Sequence, residues 1–280
     1  MTKIGAHVSA AGSLDLAPDN AKNLGCEVFQ FFSRSPRGGG AKPITEEIAK
    51  NFQKKSEEYN MESYIHAPYY INFASQSAKI SFGSVSAIQE ELRRGTALGV
   101  KYVMTHLGSE KDLGPEKSQK QVIERVKSIF AKKEKWTTKL LLENSAGATG
   151  VVGDTFEELG NIINSLDEEV GICLDTCHLF ASGYDIRDEK NINSTLKEFK
   201  KYLPLEKIKL IHANDSKFDL NEHKDRHADI GDGKLSLETF KNLLNNKTFQ
   251  KINFILETPG GDERQKKDIA ALQKMRDKIS

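Results

Sequence analysis

The sequence predicts an α/β protein: a single (β/α)8 TIM barrel with its active site at the C-terminal ends of the strands. Three observations predict it. Eight short apolar and β-branched runs alternate with longer, polar, helix-patterned segments along 280 residues. The first run leads into Ser9-Ala10-Ala11-Gly12, without the glycine-rich phosphate fingerprint that an open doubly wound sheet would carry there. Residues of metal-ligand type stand at the ends of six of the runs.

In chain order the expected strands are Ile4–Val8, Cys26–Phe32, Ser63–Ala67, Tyr102–His106, Leu140–Asn144, Gly171–Thr176, Ile208–Asn214 and Asn253–Thr258. Helix signals fill the gaps. Glu46–Tyr59 follows a Thr45 cap, Ser84–Leu98 stops at Gly99, and Ser118–Lys133 is charged on one face. Thr155–Leu166 opens on the capping-box pattern Asp154-Thr155-Phe156-Glu157, and Ser236–Asn245 starts from a further cap. Gly38-Gly39-Gly40, just past the second strand, is the stretch with most backbone freedom. There is no composition break or low-complexity linker, so residues 1–280 are expected to form one domain.

The three cysteines suggest no disulfide framework, and Cys26 and Cys173 lie in apolar runs where a buried small hydrophobe fits. A reducing, cytoplasmic location is expected. No apolar run approaches the roughly 20 residues of a membrane span, and no signal peptide is indicated. With 41 basic and 40 acidic residues, the net charge of +1 excludes a non-specific nucleic-acid binder of high bulk basicity. A polyanionic partner would have to be attracted by local loops or by bound metal ions.

The six strand ends are His66, His106, Glu143, Asp175, His212 and Glu257. In a barrel they converge on one mouth, and three carboxylates desolvated together are costly unless cations neutralise them. A lone histidine or carboxylate at a strand end is more often a hydrogen-bonded core residue or a helix cap. Six consecutive strands ending this way outweigh that reading. The mixed set favours zinc, with manganese as the alternative ion. A second cluster comes from His178, three residues beyond Asp175, and from Asp225-Arg226-His227, whose alternation puts Asp225 and His227 on one face. Alone, Asp225-Arg226-His227 would read as an exposed polar turn. Beside His178 it makes a three-ligand set that leaves coordination open for water or substrate.

These residues lie in blocks that resemble the endonuclease IV family, the zinc-dependent apurinic/apyrimidinic endonucleases of base-excision repair. The resemblance runs from Ile4-Gly5-Ala6-His7-Val8-Ser9 to Leu256-Glu257-Thr258-Pro259. It passes through His66-Ala67-Pro68-Tyr69, Thr105-His106-Leu107-Gly108 and Leu142-Glu143-Asn144. Its most specific blocks are Leu174-Asp175-Thr176-Cys177-His178, Ser182-Gly183-Tyr184-Asp185 and His212-Ala213-Asn214-Asp215-Ser216-Lys217, the last leading to Asp225-Arg226-His227.

The resemblance implies three zinc ions per chain. One would be held by His66, His106 and Glu143, a second by Glu143, Asp175, His212 and Glu257, and a third by His178, Asp225 and His227. Glu143, shared by two ions, would be the catalytic residue that helps to orient the attacking water. The implied partner is duplex DNA with abasic sites or blocked 3′ ends, met by a monomeric enzyme. The cut would fall 5′ to the abasic site, leaving a 3′-hydroxyl and a 5′-deoxyribose phosphate. Three divalent ions bring +6 against −4 from Glu143, Asp175, Asp225 and Glu257, so the site would be locally about +2 despite the near-neutral chain.

Arg37 and Tyr69 match the family positions that enter the duplex near the lesion, although Gly38-Gly39-Gly40 replaces the usual aromatic residue after the arginine. Arg34, Lys217 and Arg226 are further candidates for phosphate contact. His7 is expected to support or pack beside the ligands, and His223 to lie on a loop surface. Two competing readings are a sugar isomerase or epimerase on a related barrel, with one metal, and a damage-binding protein without catalysis. The second three-ligand cluster argues against the former, and the filled ligand set against the latter.

Overall fold

A computed structural model describes residues 1–109, 111 and 113–278. The barrel strands are β1 (Ile4–His7), β2 (Val28–Phe31), β3 (Glu62–His66), β4 (Tyr102–Thr105), β5 (Lys139–Glu143), β6 (Gly171–Asp175) and β7 (Ile208–His212). After a short antiparallel ribbon, β8 (Asp215–Ser216) with β9 (His227–Ala228), the barrel closes with β10 (Asn253–Leu256). Every barrel pair is parallel, and β10 hydrogen-bonds to both β7 and β1. This is the (β/α)8 barrel expected from the alternation of apolar and helical segments.

The strands carry two apolar faces, as a parallel sheet buried on both sides requires. Outward residues pack beneath the helices: Phe29 and Phe31 of β2 meet Phe52 of α2 (Glu46–Glu58), with ring centroids 5.8 and 5.3 Å apart. Inward residues form a separate layer of Val28, Tyr64, Met104, Leu141, Cys173, Leu210 and Ile255, one from each of seven strands. The eighth strand offers Gly5, where a Cβ would lie 1.6 Å from the Val28 carbonyl oxygen, so only glycine lets β1 and β2 approach this closely.

Helices stop and start largely where local chemistry directs. Thr45 accepts from Ile48 N, Thr155 accepts from Glu158 N, and Gly99 ends α3 (Ala78–Leu98) at φ 71°. Two helix starts and one cap differ from expectation. α3 begins six residues before Ser84, whose buried hydroxyl donates to Ile80 O inside the helix. α4 spans Pro115–Phe130, starting on the proline that suits a first turn. Ser236 does not cap α8 (Ser236–Asn245): it sits at φ 71°, and the preceding Leu235 N is held by the Asp215 carboxylate. The sequence patterning does not delimit α1 (Ala17–Asn23), α6 (Thr176–Ala181), α7 (Glu189–Phe199) and α9 (Gly261–Asp277). All three cysteines are buried and free, and no described helix is long and apolar enough to cross a membrane.

Candidate metal centre

The period of two along a strand builds this site. Two residues beyond each inward apolar residue stands a polar one on the same face: Gln30 after Val28, His66 after Tyr64, His106 after Met104 and Glu143 after Leu141. Asp175 follows Cys173, His212 follows Leu210 and Glu257 follows Ile255, while His7 stands two residues beyond Gly5. A closed polar ring therefore lies directly on the apolar layer, at the C-terminal mouth. Glu143, Asp175, His66 and His212 are buried, and His106 and Glu257 are half-buried.

Within this ring the side chains fall into groups. The ligand atoms of His66, His106 and Glu143 lie within 4.8 Å of one another, as do those of Glu143, Asp175, His212 and Glu257, and those of His178, Asp225 and His227. All nine expected ligands are thus brought together in the three sets that the family resemblance implied. Asp175, Cys177 and His227 also come within this range. There, however, burial pushes the Cys177 thiol pKa upward, and its Sγ faces the Arg226 carbonyl at 3.7 Å.

Hydrogen bonds set the histidine tautomers. His66 Nδ1 lies 2.6 Å from Ala67 O, His178 Nδ1 2.9 Å from Asn144 O, and His227 Nδ1 3.2 Å from Glu257 O. A carbonyl only accepts, so each Nδ1 donates, which leaves each Nε2 as the atom that would ligate an ion in the centre. His212 is turned the other way. Its Nε2 is 2.8 Å from Gln30 Oε1, leaving Nδ1 facing Glu143 Oε1 at 2.9 Å and Glu257 Oε2 at 3.3 Å.

Three buried atoms here have no hydrogen-bond partner among the described residues: Glu143 Oε2, His178 Nε2 and His227 Nε2. Each lies 3.3–3.6 Å from an ionisable group of the centre, outside hydrogen-bond geometry, and divalent cations would satisfy them together. Charge agrees. Burial would lower the His178 pKa, but Asp175, Asp225 and Glu143 push it up to about 10. Burial would raise Glu143, yet His106, His212 and His66 hold its carboxyl well below the usual range. Burial would also raise Asp225, yet the neighbouring His178, with Nε2 3.3 Å from Asp225 Oδ2, outweighs it and the pKa falls to about 2. The pocket therefore holds ionised carboxylates that attract cations. These donors fit a zinc-type centre.

Amide side chains brace the ligands. Asn144 Oδ1 accepts from Asp175 N at 2.7 Å, and Asn214 binds Asp175 Oδ2 through Nδ2 and Glu257 N through Oδ1. Gln30 Nε2 donates to Glu257 Oε1 at 2.6 Å and lies 3.0 Å from His7 Nδ1. Sequence reasoning gives these amides no role. Their signal is inward register: Gln30 is the member of the polar ring that is not of ligand type. His7 occupies the supporting place expected of it, and His223 is exposed.

The candidate DNA-contact residues rim the mouth. Arg37 is exposed, and Tyr69 is 65% exposed with its ring edge-on to His66 and Phe32. Lys217 and Arg226 are exposed at the end of the β8–β9 ribbon, where Lys217 N donates to Arg226 O at 3.0 Å. Arg34 departs from expectation. Its guanidinium is paired with the fully buried Glu91 and does not extend a solvent-facing positive surface.

Residues 18–276 match the family described as xylose isomerase-like TIM barrel. Over 276 residues, covering 98% of both chains, the sequence is 37% identical to the probable endonuclease 4 of Aquifex aeolicus. The chain belongs to the endonuclease IV family. Endonuclease IV from Thermus thermophilus superposes on this family member with a TM-score of 0.88 at 29% identity, covering 99% of each chain. A D-tagatose 3-epimerase-like protein superposes at 0.76 with 20% identity, which shows a shared fold alone. The sugar-enzyme reading is therefore set aside for an endonuclease IV relative whose metal dependence follows from its family.

Proposed function

We propose that this chain is a DNA-repair endonuclease that hydrolyses the phosphodiester 5′ to abasic sites in duplex DNA, acting as a single-domain, cytoplasmic monomer with three zinc ions. The observation that carries this reading is the convergence of three ligand sets, with the buried Glu143 Oε2, His178 Nε2 and His227 Nε2 among their atoms, at the mouth of an endonuclease IV barrel. His66, His106 and Glu143 would hold one ion, Glu143, Asp175, His212 and Glu257 a second, and His178, Asp225 and His227 the third. When bound, such ions supply Lewis acidity that activates water and neutralises phosphodiester charge, with manganese able to serve at one or more sites.

The chain's own residues supply position. Glu143 is ionised and buried between the first two sets, where it would help to orient the attacking water while shared by two ions. Arg37 and Tyr69 enter the duplex beside the lesion, and Lys217 and Arg226 grip backbone phosphates without reading bases. An abasic nucleotide unstacks cheaply and fits the pocket, whereas an intact one pays more. Cleaning of blocked 3′ ends follows from the same site.

The test is a duplex with one abasic site. Cleavage should leave a 3′-hydroxyl and a 5′-deoxyribose phosphate. Glu143→Gln should lose more than ~100-fold in kcat with an unchanged circular-dichroism spectrum. Normal incision by that variant would remove the role given to Glu143.

A further inference from the structure

The lesion-facing loop between β2 and α2 has no secondary structure of its own and contains three consecutive glycines, with Gly38 at φ 113° and Gly39 at φ 99°. Such a segment has much backbone freedom to lose on ordering. Yet it carries Arg37, and the Pro36 carbonyl accepts from Tyr69 N at 3.1 Å, so its position also sets that of Tyr69.

Two charged side chains one turn apart on α3, Glu91 and Arg94, grip this loop at both ends, and both are buried. Glu91 accepts from Arg34 Nε through one oxygen and from Ser33 Oγ through the other. Arg94 Nε donates to Ser33 Oγ at 2.8 Å, its Nη2 to Ser33 O, and its Nη1 to Lys42 O at 2.8 Å. One guanidinium thus spans the entry and the exit of the loop. Burying these charges has a desolvation cost that apolar packing would avoid, so their use here argues for a geometric role. Arg34 and Arg94 outnumber Glu91 by one positive charge. Among the described residues Arg34 Nη2 is buried without a partner, beside a cavity of about 650 Å³ between the loops after β1 and β2.

We propose that Glu91 and Arg94 are positioning residues that hold the Arg37 loop, and through Pro36 the Tyr69 loop, in the geometry that engages the abasic duplex. The inference rests on the DNA-repair reading above. It assigns to a buried helical pair the rigidity that the glycine run withholds.

Arg94→Lys keeps the charge but loses the planar fork that reaches Ser33 and Lys42 together. In the zinc-loaded enzyme it should raise KM for the abasic duplex about 10-fold or more with little change in kcat, because misplacing a substrate-positioning loop weakens engagement. Hydrolysis of a small phosphodiester such as bis(p-nitrophenyl) phosphate, and zinc content, should match the parent protein. Amide hydrogen exchange in residues 35–41 should speed up without DNA. Ser33→Ala, a milder change at the same junction, should shift each readout in the same direction and serves if Arg94→Lys fails to fold. Unchanged duplex KM, or a parallel loss on both substrates, overturns the proposal. If the parent protein does not incise the duplex, the DNA-repair reading fails, while the exchange measurement still decides whether the pair holds the loop.

Discussion

At the scale of single residues, Gln30 links otherwise separate parts of the centre. One amide holds Glu257 through Nε2 and His212 through Oε1, so it fixes the His212 tautomer and aims a carboxylate with the same group. Outer hydrogen bonds of this type typically change metal affinity by about 10–100-fold when removed. Gln30→Leu is nearly isosteric and should weaken zinc binding on that scale in a chelator-competition titration. Unchanged affinity would show that Gln30 only fills space. For Arg37 the proposed partner is the DNA. Arg37→Ala should raise KM for the abasic duplex about 10-fold while kcat and zinc content stay near the parent values, because its side chain is exposed and lies outside the ligand sets. Equal loss of kcat would place it in the chemistry instead.

The nine candidate ligands were legible because each is a metal-binding residue type at or near a strand end, or in a short Asp-x-His alternation. Gln30 was not, since glutamine at a strand position has many ordinary explanations and its role depends on partners 182 and 227 residues away. Arg34 was misread for a related reason. An arginine in a polar loop is ordinarily solvated, and nothing local reveals that Glu91, 57 residues on, buries it.

At the scale of elements, boundaries followed the caps where the cap was local. Thr45, Thr155 and Gly99 acted where they were expected to. α8 departed because its entry is governed by Asp215, which accepts from Ser216, Gly231, Gly233 and Leu235 backbone amides and so folds the loop around itself. A long-range carboxylate, not the adjacent serine, starts that helix. The contact between α1 and α2 has a similar basis and is sensitive to acid. Asp19 receives Lys55 Nζ at 2.6 Å and the Tyr59 hydroxyl at 2.9 Å. The Lys55 bond, opposed by burial and aided by Tyr59, lowers its pKa below the usual 3.8. The folded pKa lies below the unfolded one, so this contribution is present above pH 3.8 and lost as pH falls through the lower folded value. Asp19→Asn should therefore lower Tm at neutral pH and reduce the difference from the parent protein as the pH drops below about 4. A constant difference across that range would contradict the sign.

At the scale of the whole molecule, the barrel places an apolar layer and a polar layer one strand period apart. The first excludes water from below. The second gathers carboxylates whose mutual repulsion divalent cations would relieve. This explains how a chain with net charge +1 can meet a polyanion: the attraction is concentrated at the mouth instead of spread over the surface. The fold was legible from the alternation of strand and helix signals alone, since eight such units close naturally. The layering needed the register, which shows that the residues two positions before the polar ring form one inward cluster. Bound ions should stabilise the native state by mass action, so removing them with a chelator should lower Tm and restoring zinc should recover it. An unchanged Tm would mean that the ring does not hold ions in the folded protein.

The most direct measurement is incision of a duplex carrying one abasic site by metal-stripped protein, followed during stepwise return of zinc with bound metal counted by elemental analysis. Stripped protein should be inactive, and activity should return as occupancy approaches three ions per chain, with cleavage 5′ to the lesion. Incision that survives complete metal removal, or full occupancy without incision, would contradict the account.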